Sequence, residues 1–362
     1  MKIDRVTVEV LETPVELQYI AAGNMVSSNW HVLSRVFTND GVQGIGFAVA
    51  TRARLVKALA QAAQELGQSL VGMNALEVEA ARAKIEREGG WVGPGGMLSM
   101  AIATLDIALW DAKGKILGQP LYRLLGGYRD RVRTYASDAM WYSLPLDILQ
   151  QSARYHVSQG YDMLKLRLGH EKQPEGEVAR VRAVQEAVGR DVQIMVDAAE
   201  SWNEVQAVSA ARALQEAGIV WLEDPVNHQN LSGLARLAEM LDIPVSGGEH
   251  LYGPDPFQKT FDARALDVAI IDLARVGGIT PWMKVAAMAE ARGIPVAGHV
   301  IPEVHVHLLS AVPNGYLVEY MPRSEPIFKT RLKLEDGHLV APQTPGLGID
   351  LDEAACERYR VG

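Results

Sequence analysis

DVQIMVDAAESWNEVQAVSAARALQEAGIVWLEDPV, residues 191–226, decides how the chain folds. A short apolar run ends in Asp197. A polar turn and an Ala-rich stretch of helical period follow, and Gly218 precedes a second apolar run that ends in Glu223. This is strand, helix, strand. The same grammar recurs in YDMLKLRLG (161–169), IPVSGGEH (243–250), ALDVAIIDLA (265–274) and IPVAGHV (294–300), with helical stretches such as MKVAAMAEARG between them. Repeated strand–helix units predict a parallel sheet. The steps Asp197–Glu223, Glu223–Glu249, Glu249–Asp272 and Asp272–His299 are 26, 26, 23 and 27 residues. Such even units predict a closed (β/α) barrel rather than an open doubly wound sheet.

Outward from the barrel, the pattern changes. Residues 1–50 read as alternating strands, with a polar loop at AAGNMVSSNW (21–30) and a turn at Asn39, Asp40 and Gly41. Residues 51–125 switch to helical period, and MLSMAIATLDIALWDAKGKIL (97–117) is apolar nearly all round, as a helix buried between layers would be. The expected organisation is an α+β cap over 1–125, a barrel over 126–320 and a tail over 321–362. The Gly-rich stretch 89–96 lies between helices and does not read as a phosphate loop.

The chain has 362 residues, 48% hydrophobic and 22% charged, which suits a large core and excludes a disordered chain. The net charge of −9 argues against nucleic acid or an anionic membrane as partner, but not against a small anion in a locally positive pocket. One cysteine, Cys356, leaves no disulfide framework or Cys-built metal site. The start MKIDRVTVEVLETPV alternates like a strand and has no signal-peptide core, so the expected compartment is the cytoplasm.

In each barrel run a polar residue closes an apolar strand: Lys165 and Arg167, Asp197, Glu223, Glu249, Asp272, His299. Buried charges need partners, and in a barrel all strand C-termini meet at one mouth, where barrel enzymes keep their active sites. Asp197, Glu223 and Glu249 come from consecutive strands. Three converging carboxylates call for a cation, and all-oxygen ligation points to Mg²⁺ first and Mn²⁺ second. Lys165 and Arg167, two apart on a strand, face one side and suit a carboxylate ligand. Asp272 beside His299 orients the imidazole and raises its basicity, which makes a general base.

These motifs resemble the mandelate racemase branch of the enolase superfamily along essentially the whole chain. The resemblance rests on Lys165-x-Arg167, VDAAESW with Asp197, WLEDP with Glu223, GGEH with Glu249, IDLARVGGIT with Asp272, and the run from His299 to Glu319 in VEY. The segments DGVQGIGFAV (40–49), ATLDIALWDAKGKILGQPLYRLLGG (103–127) and APQTPGLGIDLDE (341–353) extend it. It implies a modified TIM barrel with an N-terminal α+β capping domain, the tail returning to the cap, and one Mg²⁺ per subunit on Asp197, Glu223 and Glu249. It implies abstraction of the proton α to a carboxylate, giving an enediolate. Lys165 would contact the substrate carboxylate, and Glu319, matched by position, would be protonated and hydrogen-bonded to it. Cap residues Tyr19, Asn24, Trp30 and Trp91 match regions that cover such sites and would shape substrate choice. Homo-oligomers from dimers to octamers are common in the family.

Two departures refine the expectation. Arg167 stands where racemases of this branch carry a lysine base, and a guanidinium does not act as a base near neutrality. Ala199 stands where the family often has a substrate-contacting Asn. One good base favours dehydration of a sugar acid, aldonate or aldarate, to a 2-keto-3-deoxy acid. A racemase, epimerase or cycloisomerase of a hydroxy acid or lactone is the alternative, with Lys165 as second base. A zinc-dependent barrel hydrolase using His305 and His307 is more distant, because residues two apart on a helix point away from each other. A barrel that only binds carboxylates would have no use for the His299–Asp272 pair.

Overall fold

A computed structural model describes residues 1–21 and 23–361; Ala22, within the 21–30 segment, and Gly362, at the end of the tail, lie outside the described residues. Strands β1 (Ile3–Ala21), β2 (Asn24–Thr38) and β3 (Gln43–Ala50) form an antiparallel meander. Helices α1 (Val56–Gln68), α2 (Val78–Gly89) and α3 (Gly96–Ile116) follow. The segment expected as a polar loop is instead largely strand: Tyr19 pairs with Val26, Ile20 with Met25 and Ala21 with Asn24. Its Asn, Ser and Gly residues are mostly exposed or half-buried, while pairing between two adjacent strands satisfies the backbone and Tyr19 and Val26 bury the other side.

Helix α3 is buried along most of its length, as its all-round apolar pattern requires. Gly44 and Gly46 let its backbone ride directly on β3; a Cβ at either would strike the carbonyl of Ala108 or Thr104. Two buried aspartates on α3 hold the layers together. Asp106 accepts from the Thr280 N–H of the barrel at 2.9 Å and pairs with Arg82 at 3.4 Å. Asp111 accepts from Ile45 N in the cap and Leu347 N in the C-terminal segment, both at 2.8 Å.

Eight parallel strands follow: β4 (Arg131–Ala136), β5 (Met163–Arg167), β6 (Gln193–Asp197), β7 (Leu222–Glu223), β8 (Val245–Gly247), β9 (Val268–Asp272), β10 (Val296–His299) and β11 (Gly315–Tyr320). Pairing of β11 with β4 closes the barrel. The hairpin β12 (Lys333–Glu335) and β13 (His338–Val340) then pairs antiparallel, through β13, with the N-terminal half of β4, and among the described residues no barrel helix follows β11. Further on, Leu11 bridges Arg360, and Arg35 pairs with Glu353 at 2.6 Å, which returns the tail to the cap.

The inward side chains form two tiers. The floor is Tyr135, Met163, Met195, Trp221, Val268, Ile270, Ala297 and Leu317, all buried. Two residues further along, with the period of a pleat, stand Ser137, Lys165, Asp197, Glu223, Asp272, His299 and Glu319. The outward residues Leu164, Leu166 and Leu168 pack against the helices.

His305 and His307 both lie on the helix Pro302–Ala311 and diverge. His305 faces the carbonyls of Val300 (2.6 Å) and Ile271 (3.1 Å). His307 accepts at Nδ1 from Tyr122 N (3.3 Å) and donates from Nε2 to Leu347 O (2.9 Å). The neutral ring meets both partners, and burial lowers its pKa to about 4. A folded-state pKa depressed in this way means that the unfolded chain takes up the proton first. The stability this site contributes is therefore complete above pH ~6.5 and declines as pH falls toward 4, by roughly 3 kcal/mol. Urea unfolding at pH 7 and pH 4.5 checks this: His307→Gln should show a smaller acid loss than the native chain, and identical losses would refute the linkage.

Candidate active site

The barrel mouth gathers Lys165, Arg167, Asp197, Glu223, Glu249, Asp272, His299 and Glu319. The strand ends feeding it turn through backbone conformations that side chains rarely adopt. Ala139, Ala199, Glu200, Asp224, Val300 and Ile301 all have φ between 41° and 59°. Left-handed β-branched residues such as Val300 and Ile301 persist only where their surroundings over-determine them. At β10 that hold is visible: Val300 N–H donates to Glu319 Oε2 at 2.8 Å, while its carbonyl meets His305. Beyond β8, Gly248 (φ 114°) carries the chain to Glu249 in a conformation suited to glycine.

Carboxylate oxygens of Asp197, Glu223 and Glu249 lie within 4.8 Å of one another. Lys165, fully buried, sets its ammonium 2.8 and 2.9 Å from the two oxygens of Glu223 and 3.0 Å from Glu319. Arg167 reaches Glu319 at 3.1 Å, Asp197 at 3.6 Å and the Ser137 carbonyl at 2.9 Å. Burial pulls both cations down, but the surrounding carboxylates outweigh it and hold both charged. Burial pushes the Asp197 and Glu223 carboxyls up, against the pull of Lys165. The acids therefore exceed the charge that the cations supply. An oxygen-only set with this shortfall fits a hard divalent ion.

On the other side of the cluster, His299 Nδ1 lies 2.6 Å from Asp272 Oδ2, and Nε2 lies 3.1 Å from Glu249 Oε2. Asp272 is fixed in turn by the Arg275 N–H at 2.7 Å, and the Arg275 guanidinium donates to the Glu249 carbonyl at 2.7 Å. Burial opposes ionisation of Asp272, but the His299 hydrogen bond and Arg275 prevail and keep its pKa below the ordinary value. The anionic Asp272 holds Nδ1 and so orients Nε2 toward the cluster, within hydrogen-bond distance of Glu249.

Glu319 faces two cations. Against the effect of burial, Lys165, His299, Arg167 and the Ser137 hydroxyl (2.7 Å) drive its pKa well below the ordinary value. Its carboxylate lies 3.0 Å from the Lys165 ammonium and 3.1 Å from the Arg167 guanidinium, a setting that favours the ionised form. The four cap residues are dispersed. Tyr19 is buried and stacks on Trp141 at 4.1 Å. Asn24 lies at the exposed start of β2, and Trp30 packs beside Val10, Val32 and Leu59 within the cap. Trp91 is 90% exposed. Gly95, on the same segment, approaches the barrel-mouth loop, where a Cβ would lie 3.4 Å from Tyr252.

Sequence reasoning missed several residues of the mouth. Ser137 directly follows β4, two residues after Tyr135, and the period-two rule could have found it. Arg275 sits in the quoted IDLARVGGIT motif. Trp141, whose ring centroid is 4.1 Å from the Arg167 guanidinium, carries no local signal. Asp224 and His250 extend the acidic edge beside Glu249.

Residues 3–126 match the family described as mandelate racemase / muconate lactonizing enzyme, N-terminal domain, and residues 147–355 match enolase C-terminal domain-like. The chain is 33% identical over 324 residues to the L-talarate/galactarate dehydratase of Salmonella typhimurium, covering 90% of this chain and 81% of the relative. It is 30% identical over 373 residues to the 3,6-anhydro-alpha-L-galactonate cycloisomerase of Streptomyces coelicolor, covering 99% of this chain and all of the relative (100%). The crystal structure of L-talarate dehydratase from Polaromonas sp. JS666, complexed with Mg and L-glucarate, superposes with a TM-score of 0.92 at 31% identity, covering 100% of this chain and 98% of that one.

Proposed function

Because the chain belongs to the mandelate racemase / muconate lactonizing enzyme family of the enolase superfamily, we propose that it is a Mg²⁺-dependent hydro-lyase that dehydrates a sugar acid to a 2-keto-3-deoxy acid. Asp197, Glu223 and Glu249 would hold the ion, with Mn²⁺ an acceptable substitute. When bound, the ion draws charge onto the substrate carboxylate and so acidifies the α-carbon.

The single observation that carries the reading is the one-sided supply of bases. His299, oriented by Asp272, offers a basic Nε2 beside Glu249. Across the cluster stand Lys165 and Arg167, both held charged in ion pairs. Racemisation needs a base on each face, and the second face has only cations. Elimination needs one. His299 Nε2 removes the α-proton, and Asp272 stabilises the imidazolium that forms. The same N–H then protonates the β-hydroxyl as its C–O bond breaks, so water leaves and an enol remains. The enol takes up a proton on carbon to become the 2-keto acid. Lys165 and Arg167 offset the negative charge that gathers on the carboxylate.

The test is a screen of mono- and diacid sugars with Mg²⁺, read as 2-keto acid formation. Chelation should abolish turnover, and Mg²⁺ or Mn²⁺ should restore it. An isomer of unchanged mass as the only product would overturn the dehydratase reading in favour of a racemase or cycloisomerase. Glu223→Gln should weaken Mg²⁺ binding about 100-fold by titration calorimetry, because a neutral amide replaces one of three charged ligands; unchanged affinity would remove Glu223 from the ligand set.

A further inference from the structure

Arg323 follows β11 by three residues and is half-buried where the cap meets the barrel mouth. Among the described residues, no carboxylate lies within 4.0 Å of its guanidinium; its one hydrogen bond runs from Nη2 to the Tyr19 hydroxyl at 3.3 Å. Its Nε is buried with no partner. The charge is felt nearby: His31, on the cap strand above, is held neutral first by burial and then by Arg323.

This cation is connected to the acid cluster by a stack of flat groups. The Tyr19 ring lies 4.1 Å from the Trp141 ring, 10° from parallel, and the Arg167 guanidinium lies 4.1 Å from the same indole. Trp141 thus contacts both Tyr19 and Arg167. Arg167 touches Asp197 and Glu319 at one end of the stack, and Arg323 touches Tyr19 at the other. On the Trp141 segment, Trp141 Nε1 and the hydroxyl of Tyr142, whose ring stacks on His170 at 3.5 Å, are buried without partners. The indole N–H and the arginine Nε–H only donate, and the phenol donates readily. A cation without an anion, joined through Tyr19 to a segment whose buried donors lack acceptors, is what a carboxylate satisfies. A neutral terminal hydroxyl would leave the charge unmatched.

We infer that Arg323, with Trp141 and Tyr142, binds a second carboxylate at the far end of the substrate, so that the enzyme acts on sugar diacids in preference to monoacids. This deepens the dehydratase reading and rests on it. Ile20 N–H donates to Ser143 Oγ at 2.9 Å, which joins the cap hairpin to the loop carrying Trp141 and Tyr142. The diacid's distal end is thereby gripped at the junction of lid and barrel.

The test pairs each four- to six-carbon sugar diacid with the monoacid of the same configuration, using Mg²⁺-loaded enzyme at constant ionic strength. The best diacid should exceed its matched monoacid in kcat/KM by about 30-fold, the scale of a charge-assisted hydrogen-bond pair. Arg323→Gln should bring that ratio below about threefold, and Arg323→Lys should leave an intermediate value. Should Arg323→Gln not fold, Tyr142→Phe should lower the ratio about fivefold. Equal use of both acid classes by the native enzyme, or an equal loss for both in Arg323→Gln, overturns the anchor while leaving dehydration intact. Diacid binding that depends on Arg323, with neither 2-keto acid nor α-deuterium exchange, supports the anchor and overturns the dehydratase reading. Binding of neither class overturns both.

Discussion

Replacing His299 with asparagine should lower kcat by about 10³–10⁴-fold, at the upper end of what a positioned general base supplies, while Mg²⁺ affinity changes by less than about threefold. The amide keeps a donor for Asp272 but has no basic nitrogen at the position of Nε2. His299 touches Glu249 without belonging to the carboxylate trio, so the metal set should survive. Titration calorimetry reads the metal, and mass spectrometry in D₂O reads exchange at the substrate α-carbon. Exchange should vanish together with product. Turnover within tenfold of the native rate would remove His299 from the base role. Loss of both turnover and metal would show instead that the substitution had collapsed the site.

The barrel and its polar tier were legible because both are written in local period. Each tier residue follows an apolar floor residue by two, as Met195 precedes Asp197 and Trp221 precedes Glu223, and the repeat distance places these pairs on successive strands. The lid hairpin was not legible. Pairing of Tyr19 with Val26 joins two buried residues set among exposed polar neighbours, and composition alone reads such segments as loop. The surroundings of Glu319 were hidden for a different reason. They are set by Lys165, Arg167 and Ser137, from two other strands, and only the closed barrel brings them within 3.1 Å. Trp141 and Arg323 carried no pattern at all. Their meaning lies in what they stack on and in the partner they lack, which no window of sequence contains.

Lys165 offers the sharpest separation of structural from chemical roles. Its ammonium is the cation closest to Glu223, at 2.8 and 2.9 Å, and both side chains are fully buried. Lys165→Met keeps much of the volume and removes the charge. Arg167 still pairs with Glu319, but Glu223 is left among Asp197 and Glu249 without its counter-ion. Removing one partner of a buried pair typically destabilises by about 3–5 kcal/mol, because the remaining charge is stranded. Urea unfolding in chelator should show a loss of that size, and lowering the pH should shrink it as Glu223 takes up a proton. Mg²⁺ should then stabilise the variant more than it stabilises the native chain, since the ion no longer shares Glu223 with an ammonium. Activity should remain lost even when the fold is restored by metal, because the substrate carboxylate has lost a cation that offsets its developing charge. A variant as stable as the native chain without metal would show that the lysine–glutamate contact contributes nothing to the barrel. A variant restored by metal and fully active would remove Lys165 from the chemistry.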